Sequence, residues 1–177
     1  MPPGRTFQKS LDATGIHAAL RTGDGQWKGL HVELLLDEWL VPVCHPDLLQ
    51  KLGPVSNHAD LARYPLLRST TEPWTDWPSG DAQTGWPDSG LGLDDSTAIV
   101  RLAATGVGLA LARWSLVADE VSRGHLAVAS RHIARFARKN YFVCPPKLRH
   151  LKKVVAFRDW IFGQAGNFPA PPGATIR

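Results

Sequence analysis

Cysteine is scarce in this sequence: only Cys44 and Cys144 occur, a hundred residues apart. That count excludes the disulfide framework that staples small secreted domains. Two reduced, buried thiols in a cytosolic protein fit it best. Long apolar runs are absent as well. No stretch of about 18 uncharged apolar residues exists, so no membrane-spanning helix and no membrane partner is expected. The opening residues, MPPGRTFQKSLDATG, hold no apolar signal-peptide segment. Catalytic signatures are missing too. There is no GxSxG, HExxH or P-loop pattern, and Gly106-Val107-Gly108 is a lone GxG without the rest of a dinucleotide fingerprint. Cys44 and His45 are adjacent, but neighbouring strand residues point to opposite faces and make no dyad. The histidines at 17, 31, 45, 58, 125, 132 and 150 show no metal-ligand spacing. No enzyme, no catalytic residue, no metal and no cofactor is therefore expected.

What is present is an apolar fraction of 44% in 177 residues, enough for one domain or two small lobes. The net charge of +4 hides an asymmetry. Residues 1–100 hold 7 Lys/Arg against 13 Asp/Glu, and residues 101–177 hold 13 against 3. A nucleic-acid footprint is one reading of the basic half. The other is a solvated face attracted to the acidic half. The second is favoured, because no aromatic residues interleave with these charges to stack bases.

The most informative segment is DDSTAIVRLAATGVGLALARWSLVADEVSRGHL, residues 94–126. Asp94, Asp95 and Ser96 can cap a helix beginning at Thr97, with Ile99, Leu102 and Ala103 on one face. Gly106 stops it, and Val107 to Leu111 reads as a buried strand. Ser115 can cap a second helix that Gly124 ends, and His125 to Val128 begins another strand. This alternation predicts a parallel sheet wrapped by helices. Further strands are expected at Ile16–Leu20, Leu30–Leu36, Leu40–Cys44, Leu66–Leu67 and Tyr141–Cys144. Pro42 marks an unpaired or bulged position in its strand. Helical turns fit Asp47–Lys51 and Asn57–Arg63. Residues 69–93, rich in Gly, Pro, Asp, Ser and Trp, read as loop, and Arg131–Arg138 as loop or helix. An amphipathic helix follows around Leu151, Val154, Val155, Ile161 and Phe162, flanked by Phe157 and Trp160. From residue 163 the composition is that of a disordered tail.

In order and spacing these segments resemble the effector-binding domain of LysR-type transcriptional regulators, nearest the glycine-cleavage-activator branch. Residues 15–30, GIHAALRTGDGQWKGL, look like the family's "GVDVAIRYGDGxWPGL". EWLVPVCHP at 38–46 is similar to "EELVPVCSP", and ADLARYPLL at 59–67 to "ADLARHPLL". The 94–126 segment resembles "DSALALQAALAGQGVALxxxxLVxxxLxxGRL", and the coverage runs from about residue 11 to 165. The resemblance implies an α/β fold of two-lobed, periplasmic-binding-protein type II architecture with an incomplete first lobe. Its expected boundaries are a disordered stretch at 1–10, a first lobe from 11–38 and 147–165, a second lobe at 39–146 and a disordered tail at 166–177. A first lobe without its first strand exposes a strand edge and apolar surface.

The resemblance also implies a function: sensing a small, carboxylated effector to control transcription, in the cytoplasm, as a homodimer or higher oligomer. DNA is then reached only through a helix-turn-helix that this sequence lacks or through an intact partner. A mis-called start, a gene remnant and a real short protein remain as origins. The alternative function is a stand-alone small-molecule-binding protein of the same fold. The implied effector-binding residues are Arg21, Thr22 and Asp24 from the first lobe, and Arg68, Ser69, Thr70, Trp74, Asp95, Ser96 and Thr97 from the second. Arg21 and Arg68 suit a carboxylate, and the helix start at Asp95–Thr97 favours an anion.

Overall fold

The computed structural model describes residues 15–77 and 90–173. The chain forms two compact units: Met1–Glu38 with Ala137–Phe168, and Trp39–Phe136 with Pro169–Arg177. The chain crosses from the first to the second at Glu38–Trp39 and back at Phe136–Ala137, and the strand at Tyr141–Cys144 pairs with the strands of the first unit.

That first unit is a three-stranded antiparallel sheet. β1 (Ala19–Gly23) and β2 (His31–Leu36) flank a central strand that arrives last in the chain, Lys139–Cys144. The register pairs Leu20 and Glu33 with Phe142, and a bulge interrupts β2 between Leu34 and Leu36. The final helix, Lys152–Gly166, packs Val154, Ile161 and Phe162 onto Phe142 and Cys144. Phe142 is fully buried, and its ring lies 6.1 Å from Phe157 and 6.4 Å from Phe162. Ile16, Leu20, Leu34 and Trp160 are 44%, 46%, 48% and 58% exposed, so much of this unit's apolar surface faces outward.

The second unit is built on a mixed sheet. β3 (Trp39–Cys44) is followed by α1 (Pro46–Leu52) and a 3-10 turn at His58–Arg63, whose capping box joins Asn57 and Asp60. Then come β4 (Leu66–Ser69), a short turn at Trp74–Asp76, β5 (Leu91–Leu93), α2 (Ser96–Ala104), β6 (Leu109–Arg113), α3 (Trp114–Ser122), β7 (Ala127–Val128) and β8 (Ala134–Arg135). The strand Lys139–Cys144 is β9 and the final helix α4. The sheet order is β5-β4-β6-β3-β7, with β8 also on β3. β4 runs parallel to β5 and β6, as the alternation predicts, but β3 is antiparallel to β6. The parallel pattern therefore covers only part of the sheet. Leu40 and Cys44 alternate with Val41 and Val43, and all four are buried. β3 is covered on both faces and reads as an unbroken apolar run. α2 and α3 lie against β3 and β6.

Pro42 stands opposite Leu111 without a bulge. Its carbonyl accepts from the Ala129 amide at 2.8 Å, and β7 and β8 reach β3 only at Val43–Cys44 and Trp39–Leu40. The missing proline N–H faces the gap between those two short strands. Several expectations need correction. Helix α3 starts at Trp114 with Arg113 as its cap residue, so Ser115 lies inside the first turn. Arg131–Arg138 contains the strand β8. The segment expected as a tail continues α4 to Gly166; beyond it the Trp114 indole N–H donates to the Pro169 carbonyl at 2.6 Å, and Pro171 is buried. The expectations for residues 1–10 and 174–177, and part of the 69–93 loop, lie outside the described residues. Two glycines press on β4 from opposite sides. A Cβ on Gly90 would collide with the Leu66 carbonyl, and one on Gly108 with the Pro65 carbonyl.

Candidate functional site

In the first unit the implied residues gather where β1 ends. The Arg21 guanidinium lies over the Trp27 ring, 4.7 Å from its centre, and Trp27 meets Tyr141 edge-on at 5.5 Å. Stacking on one aromatic ring, itself braced edge-on by a second, holds a planar cation in one orientation. Partial burial draws the Arg21 pKa down from its usual value, and an arginine stays charged regardless. Thr22 donates from Oγ1 to Asn140 Oδ1 at 2.7 Å, and Asn140 donates onward to Glu38 Oε2 at 2.8 Å. Asp24 Oδ1 accepts the Gln26 amide at 2.9 Å, a side-chain turn that shapes the Gly-rich loop.

In the second unit two of the implied residues, Ser69 and Ser96, meet at one carboxylate that sequence reasoning missed. Glu72 is 2% exposed. Its Oε2 accepts from three hydroxyls: Ser69 at 2.7 Å, Ser96 at 2.6 Å and Thr71 at 3.1 Å. Its Oε1 meets Arg113 Nε at 2.9 Å. A buried carboxylate persists only when it is paired, and here one oxygen takes three hydroxyl hydrogen bonds while the other faces a guanidinium in an ion pair. Glu72 thereby ties the end of β4, the start of α2 and the end of β6 together.

This network sorts the implied residues. Ser69 is buried, and its Oγ also accepts the amides of Thr71 and Glu72 at 3.1 and 3.2 Å, so its hydrogen-bonding capacity is spent. Trp74 is 5% exposed and donates its indole N–H to the Leu67 carbonyl at 3.0 Å, which makes it part of the core. Ser96 is half-buried and Thr97 exposed. Asp95 Oδ1 accepts the amides of Thr97 and Ala98 at 2.8 and 3.3 Å. The seat that helix dipole and free amides offer to an anion is thus taken by the chain's own carboxylate. Thr70 donates to Asp94 Oδ1 at 3.1 Å. Arg68 stands opposite Gly92, whose missing side chain leaves its guanidinium room. Glu72 hides in the run Ser-Thr-Thr-Glu-Pro, which by composition reads as solvated loop. The signal that could have found it is Arg113, a charge ending the apolar strand Leu-Ala-Leu-Ala, which implies a buried acidic partner. Among the described residues no group of three His, Cys, Asp or Glu side chains could hold a metal ion. No described helix is long and apolar enough to cross a membrane.

Two compact α/β units, each with its own sheet and joined by a chain that crosses out and back, define the class: a two-lobed binding domain of periplasmic-binding-protein type II. Residues 4–165 match the LysR substrate binding domain, and the chain belongs to that family. The family is one of transcriptional regulators, not enzymes. The chain is 32% identical over 162 residues to the glycine cleavage system transcriptional activator of Escherichia coli K12, a match covering 89% of this chain and 52% of that protein. It is 26% identical to the HTH-type transcriptional regulator DsdC of the same organism, covering 86% and 51% of the two chains. It thus spans about half the length of the curated relatives it matches. Among solved structures, the effector domain of AmpR from Pseudomonas aeruginosa shares the fold with a TM-score of 0.73 at 24% identity, covering 88% and 75% of the chains. The regulatory domain of CrgA from Neisseria meningitidis does so with a TM-score of 0.68 at 21% identity, covering 88% and 78%.

Proposed function

We propose that the chain senses a small carboxylated metabolite and passes its occupancy to a transcription apparatus. The observation that carries this reading is Arg21, a part-buried cation clamped on an aromatic ring and aimed by the loop that Asp24 shapes. A planar guanidinium held in this way is preorganised for a carboxylate. Thr22 and Asp24 complete the first-unit contacts. On the second unit Arg68, Thr70, Ser96 and Thr97 form the surface offered to the effector. Ser69, Trp74 and Asp95 support it from behind. The chain works as a homodimer or higher oligomer, and DNA is read by a helix-turn-helix outside the matched region or by an intact partner.

The test is a thermal-shift screen of the purified chain against amino acids and small carboxylates, followed by titration calorimetry. A ligand that binds only the folded chain raises the melting temperature. Arg21→Ala is expected to abolish the shift while leaving the unliganded melting temperature nearly unchanged. A ligand whose affinity is indifferent to Arg21→Ala overturns the assignment. A gel-shift assay in modest salt completes it: sequence-specific binding by this chain alone refutes the view that DNA is read elsewhere.

A further inference from the structure

The first unit contains a second concavity that the effector reading leaves unused. It encloses about 340 Å³ and is lined by His31, Glu33, Phe142, Arg149, His150, Val155 and Arg158. The volume is at the lower end of small-molecule pockets. Its walls come from edge strand β2, central strand β9, the turn before α4 and the first two turns of α4. Two arginines and two histidines face it against one carboxylate.

That carboxylate does not repel an incoming anion as an isolated one does. Glu33 Oε1 accepts from Arg158 Nε at 2.8 Å and lies 2.9 Å from His31 Nε2. Its Oε2 accepts from Arg158 Nε at 2.9 Å and from Arg158 Nη2. Both oxygens are therefore engaged, and the Arg158 hydrogen bonds hold the Glu33 carboxyl down at about 2. Arg149 is placed differently. It donates through Nε to His150 Nε2 at 2.8 Å, which orients the guanidinium, and no carboxylate pairs with it among the described residues.

The surroundings reinforce the same sign. Lys147, Lys152 and Lys153 stand within the seven residues that also hold Arg149 and His150. Helix α4 has no side-chain cap and no acidic residue in its first turn. Cations at a helix N-terminus work against the helix dipole and lower stability slightly. A bound anion offsets that cost by supplying the missing negative charge. Phe142 and Val155 add an apolar wall, so the pocket suits an anion attached to an apolar body.

We infer that the concavity between β2 and the start of α4 is a binding site for a small phosphorylated molecule, in which Arg149 contacts the phosphate and Val155 contacts its organic part. A concave site of this size favours a small molecule over a nucleic-acid backbone, which spreads its charge along an open surface. The site is independent of the effector contacts at Arg21.

Phenyl phosphate is the probe, titrated into the full chain at constant ionic strength and followed by backbone amide chemical shifts. Saturable shifts are expected at residues 31–33, 142 and 149–158. Arg149→Ala should weaken binding about ten-fold, the loss of one charge-assisted contact. Arg123→Ala removes an exposed charge in the second unit and should leave the affinity unchanged. Toluene supplies the apolar body alone and benzylammonium the opposite charge; binding of either as tight as that of phenyl phosphate overturns the phosphate assignment. So do shifts that stay linear in concentration, an affinity indifferent to Arg149→Ala, and shifts at these residues that only duplex DNA produces.

Discussion

A single buried carboxylate does more for the second unit than any residue that the sequence nominates. Glu72 closes three hydroxyls and one guanidinium around itself. Glu72→Ala leaves Arg113 without its acid and the hydroxyls of Ser69, Thr71 and Ser96 with only one another. A loss of about 3 kcal/mol in urea unfolding is expected, since removing one partner of a buried pair strands the other. Glu72→Gln keeps neutral hydrogen bonds and should lose less; equal losses would show that the charge itself is unimportant. Glu33 gives the pH dependence at this scale. Hydrogen bonds from Arg158 foremost, with His31 adding, bring its carboxyl from a usual 4.5 to about 2. The folded chain thus favours the charged form. The resulting stability is complete above pH 4.5 and is lost as pH falls through about 2. Urea midpoints measured across that window should decline in the wild-type chain, and less in Glu33→Gln. These residues illustrate what the sequence conceals. The Asp95 cap is legible from local pattern, because a cap announces itself within a few positions. Glu72 is not, because its acceptors become occupied only when three separate elements meet.

Elements with strong internal pattern were legible. Strands β3, β6 and β9 are apolar runs whose burial on both faces shows in composition alone, and α2 carries its own cap. Short elements defined by a partner were not. Strand β8 exists because Trp39 and Leu40 offer it a place beside β3, and nothing in Arg131–Arg138 encodes that pairing. The arginine-to-tryptophan junction at α3 misled similarly: the helix begins one residue after β6 ends, so Ser115 never reaches a cap position. The segment after α4 looked unstructured for its proline content, yet Trp114 holds Pro169 from 55 residues away. Trp114→Phe removes that donor while retaining most of the ring. A loss of about 1 kcal/mol is expected, with faster proteolytic cleavage near 169–173. Unchanged cleavage would mean that packing of Pro171 alone holds the segment.

Across the whole molecule the two thiols report on the two units separately. Cys44 is fully buried in the second unit, and burial pushes its thiol up to about 11. Cys144 is fully buried in the first, and burial raises its thiol as well. A buried, protonated thiol is a poor nucleophile. Neither should react with a thiol reagent at neutral pH until its own unit opens, and the two modification rates in rising urea give each unit's stability. Reaction of either cysteine in native buffer would contradict this packing. The family and the fold class follow from ordered motifs spread along the chain. The hydrogen-bonding economy of the second-unit surface does not, because it depends on which oxygens are already occupied. The glycines on either side of β4 carry a last consequence, for how this sequence can diverge. Each sits just before a strand, outside regular structure, where substitutions are ordinarily absorbed, yet a side chain at either would run into backbone that has nowhere to retreat. In a saturation scan scored by folded yield, positions 90 and 108 should reject every replacement, alanine included, as sharply as the core valines of β3 do.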